Sequence, residues 1–209
     1  MWRSIRIRRL ISDPDEVDDE LLNAVLEGKT TCPSFHIVLQ SGSNVILKRM
    51  NRKYTRQIFL EAIDRLRAKR SDFTFTTDII VGFPGETDQD FAETLDVMEQ
   101  VKFAKVHMFP YSERKRTRAA LYPNKVPHDV IQQRKQEVLR RSERHAFELR
   151  NLSIGKSVKV LIESLEDNGL FSGHTDNFLK VLVDRPHLKQ HDIIEVICHE
   201  NRPEGLYAH

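Results

Sequence analysis

Thr76-Thr77-Asp78-Ile79-Ile80-Val81-Gly82-Phe83-Pro84-Gly85-Glu86-Thr87 decides the fold. From Phe75 to Phe83 the chain is apolar almost without a break, as expected of a strand covered on both faces in a parallel sheet. Gly82 and Gly85 permit a tight turn and close backbone approach to a ligand, while Pro84 stiffens it. Thr87 or Asp88 can cap the helix that follows, leaving backbone amides for an anion. That helix runs from Asp88 to Val101 through Phe91, Leu95 and Met98, and another strand, Lys105 to Phe109, comes at once. Alone, such a turn is ordinary strand-to-helix geometry.

The same alternation extends upstream. Ser4 to Leu10 sets Ile5 and Ile7 between arginines, a period-two strand ending at Asp13-Pro14, and Asp15 to Glu27 follows as a helix closed by Gly28. Phe35 to Leu39 is a strand, Gln40 to Asn44 a polar turn, and Thr55 can cap a helix with Ile58, Phe59, Ala62, Ile63 and Leu66 on one stripe. Residues 1–125 therefore read as three or four α/β units with right-handed crossovers. So few strands cannot close an eight-stranded barrel, so either the sheet is open or the chain is incomplete. Downstream, residues 126–152 hold a long polar helix, about His128 to Asn151, that bridges to another unit. Residues 153–209 turn to short strands, Val158 to Ile162, Leu170 to Ser172, Phe178 to Val183 and Ile193 to Cys198, which suggest a small β-barrel.

With 33 basic and 31 acidic residues among 209, any nucleic-acid site must be a local patch. Cys32 and Cys198 alone fit a reducing compartment and exclude a self-contained cluster site. No run reaches the ~18 apolar residues of a membrane span, and the first residues lack a signal-peptide core, so a cytoplasmic location is expected.

Ligands in alternating α/β folds sit where strands end. Four loops qualify: Ser12-Asp13-Pro14, Gln40-Ser41-Gly42-Ser43, Gly82 to Thr87, and Tyr111-Ser112-Glu113-Arg114. Gln40, Ser41 and Ser43 offer neutral donors and acceptors suited to a ribose or amino acid. Asp78, a carboxylate in an apolar run, needs a partner or ligand, and His36 sits on its strand as a core or lumen residue. The basic loop Arg114-Lys115-Arg116 could meet RNA phosphates. In the terminal barrel Phe171, His174 and Phe178 could stack on bases beside Asn177, and Lys156, Lys159 and Lys180 could engage phosphate. No residue is assigned as catalytic or as a metal ligand.

Taken in order, Leu39-Gln40-Ser41-Gly42-Ser43, Leu47 to Thr55, Thr76 to Thr87, His107-Met108-Phe109-Pro110-Tyr111-Ser112 and Gly173-His174-Thr175-Asp176-Asn177-Phe178 resemble successive signatures of the radical S-adenosylmethionine tRNA methylthiotransferases. The resemblance covers nearly the whole chain. It implies an α/β fold that is a partial TIM-like radical SAM barrel, about its second half, followed by a small all-β TRAM barrel that binds RNA. It implies S-adenosylmethionine at Asp13, Gln40, Ser41, Ser43, Asp78, Gly82, Pro84, Gly85 and Tyr111, and tRNA at Arg114, Lys115, Arg116, Lys156, His174, Asn177 and Lys180. The implied reaction is methylthiolation at C2 of N6-threonylcarbamoyladenosine beside the anticodon. Isopentenyladenosine is the nearer alternative substrate and a ribosomal protein the more distant one; a non-catalytic tRNA-binding remnant is the alternative function.

The sequence departs from this family in one decisive respect. The family's 4Fe-4S clusters are each held by three cysteines, and neither triad is present. The isolated chain is therefore expected to be inactive, with the missing N-terminal portion a possible separate partner polypeptide. Leu10-Ile11-Ser12-Asp13-Pro14 also stands where the family has Ser-Ser-x-Glu-Pro, and Glu113 to Thr117 replaces Pro-Arg-x-Gly-Thr.

Overall fold

The computed structural model describes residues 10–28 and 31–209. Most of the strand expected from Ser4 lies outside them, and its end forms β1 (Leu10–Ser12). The chain continues through α1 (Asp19–Glu27), β2 (Ser34–Ile37), α2 (Asn44–Arg49), α3 (Arg56–Lys69), β3 (Thr74–Val81), α4 (Asp88–Val101), β4 (Lys105–Pro110) and α5 (His128–Asn151). The second unit holds β5 (Ser157–Leu165), β6 (Phe171–Thr175), β7 (Lys180–Val183), β8 (Ile193–Arg202) and β9 (Gly205–Ala208).

Two local expectations are corrected, and one short helix is added. Asp15 to Glu27 is not one helix: Pro14–Glu16 makes a single tight turn, and α1 restarts where the Asp18 carboxylate accepts from Leu21 N–H. Six-residue α2, capped by Ser43, is too short to show a helical period. Phe178 lies outside β7, its φ of 63° being incompatible with a strand.

β1 to β4 form a parallel sheet in sequence order. Because Phe35 pairs with Phe75 and Thr77 with Val106, those positions share one face. Helices cover it, burying Phe35, Ile37, Leu39, Phe75, Ile79 and Val81 against Phe59, Ile63, Leu66, Met98 and Phe103. Each such side chain contributes about 1.5–3 kcal/mol of transfer free energy. The opposite face carries His36, Thr76, Asp78 and His107.

α5 is the bridging helix, and its sparse apolar stripe reflects its two-ended role. Val138 is fully buried, and Ser142 Oγ accepts from the Val106 N–H at 3.2 Å. Near its end Arg150 donates to Asn201 Oδ1 at 2.9 Å and to the Arg202 carbonyl at 3.1 Å. The five terminal strands close into a barrel of order β5-β6-β7-β9-β8 around Val160, Ile162, Val181, Val196 and Leu206. This barrel docks beneath the amino ends of β3 and β4. Ala104 packs on its core, Thr74 Oγ1 donates to the Asn177 carbonyl, and Asn177 Nδ2 donates to the Asp72 carbonyl at 3.4 Å.

Ion pairs along α5 set an acid sensitivity. Bonds from Arg140 and Arg141 hold the Glu137 carboxyl down at about 2. Burial alone would raise Glu99, but bonds from His145 and Arg144 outweigh it and lower it. A carboxyl depressed in the fold stabilises it above the unfolded value, near 4.5, and loses that contribution as pH falls toward 2. Urea midpoints of the Glu137→Gln variant should therefore fall less steeply than wild type between about pH 4.5 and 2; parallel curves would refute the assignment.

Candidate functional site

The carboxyl ends of β1 to β4 bring the four loops to one end of the sheet. Arg52 reaches Asp13 across 3.6 Å, Tyr54 Oη donates to the Leu39 carbonyl at 3.3 Å, and Arg49 Nη1 donates to the Pro84 carbonyl at 3.2 Å. The end of α2 and the segment that follows it thus tie the first three loops together.

Gln40 sits at φ 61°, a region that costs a non-glycine residue about 1–3 kcal/mol. Its N–H donates to the Asp78 carbonyl at 2.8 Å and its carbonyl accepts from Ile80 at 2.9 Å, so β3 holds it there. Ser41 and Ser43 are fully buried. Ser41 Oγ lies 3.3 Å from Thr94 Oγ1, and Ser43 Oγ donates to Asp90 Oδ1 at 2.5 Å. Both hydroxyls are thus engaged with α4, and Gly42 between them lies against its backbone. Burial alone would raise Asp90, but bonds from Ser43 and Thr87 outweigh it and lower its carboxyl.

Four amides of the glycine turn and its cap are already engaged within the protein. Gly82 N–H donates to Glu86 Oε2 at 2.7 Å, Gly85 N–H to the Asn124 carbonyl at 2.8 Å, Glu86 N–H to the Phe83 carbonyl at 2.9 Å and Thr87 N–H to Asp90 Oδ2 at 2.9 Å. Of the two possible caps, Thr87 is used. Pro84 and Gly85 form the turn's tip beside Arg49. Beneath it Arg134 reaches Glu86 Oε2 at 2.6 Å, their side chains 6% and 1% exposed. Burial pushes the Glu86 carboxyl up, against the opposing pull of the Gly82 amide and the Arg134 guanidinium.

Tyr111 follows β4, its N–H donating to the Val81 carbonyl at 2.8 Å and its ring 5.2 Å from that of Phe83. Its hydroxyl is buried and has no partner among the described residues, and burial followed by Glu113 raises its pKa. Asp78 lies on the sheet face away from the helices, with His36 Nε2 at 3.5 Å. His36 Nδ1 in turn lies 2.9 Å from Thr76 Oγ1, and its ring is 5.9 Å from that of His107. Thr76, His36, Asp78 and His107 thus form one polar cluster on that face.

The RNA candidates fall into two groups at opposite ends of the sheet. Arg114, Lys115 and Arg116 occupy the exposed loop beyond β4, at the strand tops. Lys156 lines a cleft of about 490 Å³ between the barrel and the Arg70–Thr74 segment. Asn177 is committed to the seam, Lys180 lies 3.5 Å from Glu166, and His174 is bonded to Glu163 at 2.7 Å. Sequence reasoning missed the Glu86–Arg134 pair; its sole signal was an arginine on a polar helix, indistinguishable from its solvated neighbours.

The residues present do not fit an iron-sulfur cluster. Cys32 and Cys198 are buried in different units, and burial pushes the Cys198 thiol up to about 11, away from the thiolate a metal needs. Among the described residues no three His, Cys, Asp or Glu side chains converge to hold a metal ion, and no helix is long and apolar enough to cross a membrane.

Residues 4–98 match the radical SAM superfamily. The chain is 46% identical over 176 residues to the threonylcarbamoyladenosine tRNA methylthiotransferase of Chlamydia pneumoniae, covering 84% of this chain and 42% of that protein. It is 41% identical over 171 residues to the tRNA-2-methylthio-N(6)-dimethylallyladenosine synthase of Caldicellulosiruptor saccharolyticus, covering 81% and 36% respectively. The chain thus spans about two fifths of the length of the curated relatives it matches. Among solved structures, the coproporphyrinogen III oxidase of Escherichia coli, described as a radical SAM enzyme, superposes with a TM-score of 0.54 at 16% identity, over 66% of this chain and 32% of that one. That likeness is one of fold.

Proposed function

This chain belongs to the radical SAM tRNA methylthiotransferase family, and from that premise we propose that it serves in methylthiolation of N6-threonylcarbamoyladenosine in tRNA. The observation that carries the reading is 46% identity to a protein of that name across 84% of the chain. In this proposal β1 to β4 are part of a radical SAM barrel, and the terminal barrel is a TRAM domain that holds RNA.

S-adenosylmethionine would lie across the strand tops, against Asp13, Gln40, Asp78 and the Gly82-Pro84-Gly85 turn, with the Tyr111 hydroxyl, which has no partner among the described residues, as a donor. Ser41 and Ser43 shape this surface through α4, since their hydroxyls already bond Thr94 and Asp90. Held there by these residues, the cofactor would be the source of radical chemistry. Cluster ligands would come from outside these 209 residues, because Cys32 and Cys198 are buried in separate units. After iron-sulfur reconstitution this chain alone should release no deoxyadenosine above background; sustained release would overturn that part of the proposal.

RNA contact is tested by titrating anticodon stem-loops that carry threonylcarbamoyladenosine, dimethylallyladenosine or unmodified adenosine. Reversing Arg114, Lys115 and Arg116 to glutamate should weaken binding at least about tenfold at low salt and flatten the salt dependence by about one unit of slope per lost contact. Equal binding by the variant would remove that loop from the RNA surface. Preference for the dimethylallyl stem-loop would reassign the substrate.

A further inference from the structure

Between α5, the foot of β4 and the terminal barrel lies a cleft of about 750 Å³, at the end of the sheet away from the strand tops. His174 and Phe178 line it with their rings parallel, centroids 4.6 Å apart and planes 10° from each other. This stack is built rather than incidental. Glu163 fixes His174 at 2.7 Å, and Phe178 is held at φ 63°, a conformation that a bulky side chain rarely adopts. The turn enforces it: Phe178 N–H donates to the Thr175 carbonyl at 3.1 Å, and Leu179 N–H to Thr175 Oγ1 at 2.9 Å. Backbone strain of this kind persists only where the surroundings over-determine it, and here it keeps a half-buried ring facing the cleft.

Charge completes the site. Five basic side chains line the cleft against the acidic Glu143 and Glu204. Lys105 is exposed and has no ion pair among the described residues, while Arg140 and Lys180 each have a single acidic partner at the surface. An aromatic platform ringed by cations suits a flat base with its phosphate attached, and the volume admits one unstacked nucleotide.

We propose that this cleft, shared by α5, β4 and the barrel, takes a single unstacked nucleotide of a bound RNA, its base on the His174–Phe178 stack and its phosphates toward Lys105, Arg140 and Lys180. The site rests on the tRNA reading above and adds to it a second, remote point of contact. It also makes RNA recognition a joint property of both units, because Lys105 and Arg140 belong to the α/β unit and the rings to the barrel.

The test is fluorescence anisotropy of the full chain with a labelled single-stranded RNA of about seven nucleotides, with the same sequence as a duplex, and with AMP as competitor. Phe178→Asn keeps a residue that tolerates the left-handed backbone and removes the ring; it should weaken single-strand binding about tenfold. Lys105→Glu should weaken it severalfold and lower the salt slope by about one. Lys189→Glu, on an exposed loop outside the cleft, should leave it unchanged, and the duplex should bind equally to wild type and Phe178→Asn. Undiminished single-strand binding by both cleft variants overturns this site while leaving the tRNA reading intact. No RNA binding by the wild-type chain overturns both, and displacement by AMP at matching affinity makes the cleft a free-nucleotide site instead.

Discussion

Arg134→Met is expected to lower the unfolding free energy by about 3–5 kcal/mol, a large part of what holds a domain of this size together. The substitution leaves Glu86 with a side chain 1% exposed and no guanidinium, so a carboxylate already pushed toward protonation by burial must either ionise with only the Gly82 amide against it or take up a proton. Arg134 also donates to the Glu86 carbonyl at 3.2 Å and lies 5.3 Å over the Phe91 ring. Its second carboxylate, Asp88, is 98% exposed and adds little. Removing both charges in Glu86→Gln/Arg134→Met should recover more than half of the loss, since a buried pair costs most when only one partner is deleted. Urea unfolding followed by circular dichroism measures both. A single-variant loss below about 1 kcal/mol would mean that water reaches Glu86 and that the pair does not anchor the glycine turn.

The second large effect is expected at Gly42. A Cβ built there would lie 2.4 Å from the Glu93 carbonyl oxygen and 2.6 Å from Thr94 Cα. Both atoms belong to the backbone of α4, so no side chain can rotate away. Gly42→Ala must separate the loop from α4 and break the Ser43–Asp90 and Ser41–Thr94 contacts together. A cost of about 3 kcal/mol follows from overpacking alone, and the Gln40 backbone should move with it, since only Ser41 separates the two. Hydrogen exchange at the Gln40 and Ile80 amides, which join the loop after β2 to β3, reports the local part separately from global unfolding. Unchanged protection there, with a loss under about 1 kcal/mol, would show that the loop is not seated on α4.

Much of the fold was legible because its signals are local. Thr55 and Thr87 cap α3 and α4 as their positions suggested, and α5 runs from His128 to Asn151 where the polar helix was expected. The second unit's strands were visible through alternation, but β9 was not, since Gly205–Ala208 offers four residues after a turn and acquires its identity only by pairing with both β7 and β8. The site was less legible than the fold. Ser41 and Ser43 look like ligand donors in sequence, yet partners some fifty positions away on α4 engage them. The amides of the glycine turn were open on the same grounds, until Glu86 and Asn124 closed them. Pairings across such separations leave no periodic trace, and the rings of His174 and Phe178 acquire their orientation from an unusual turn rather than from strand alternation.

The rigid helix α5 has one further consequence. Arg134 grips the turn above β3 while Arg150 grips the barrel, and the sixteen residue steps from one to the other span about 24 Å at about 1.5 Å each. This rod is a gauge with both ends fastened: its length fixes how far the barrel stands from the strand tops, and its rotational phase fixes which side of the barrel looks toward β4. An insertion of two residues would swing that side through about 200° while lengthening the rod by only about 3 Å, so register, far more than reach, is what the helix preserves.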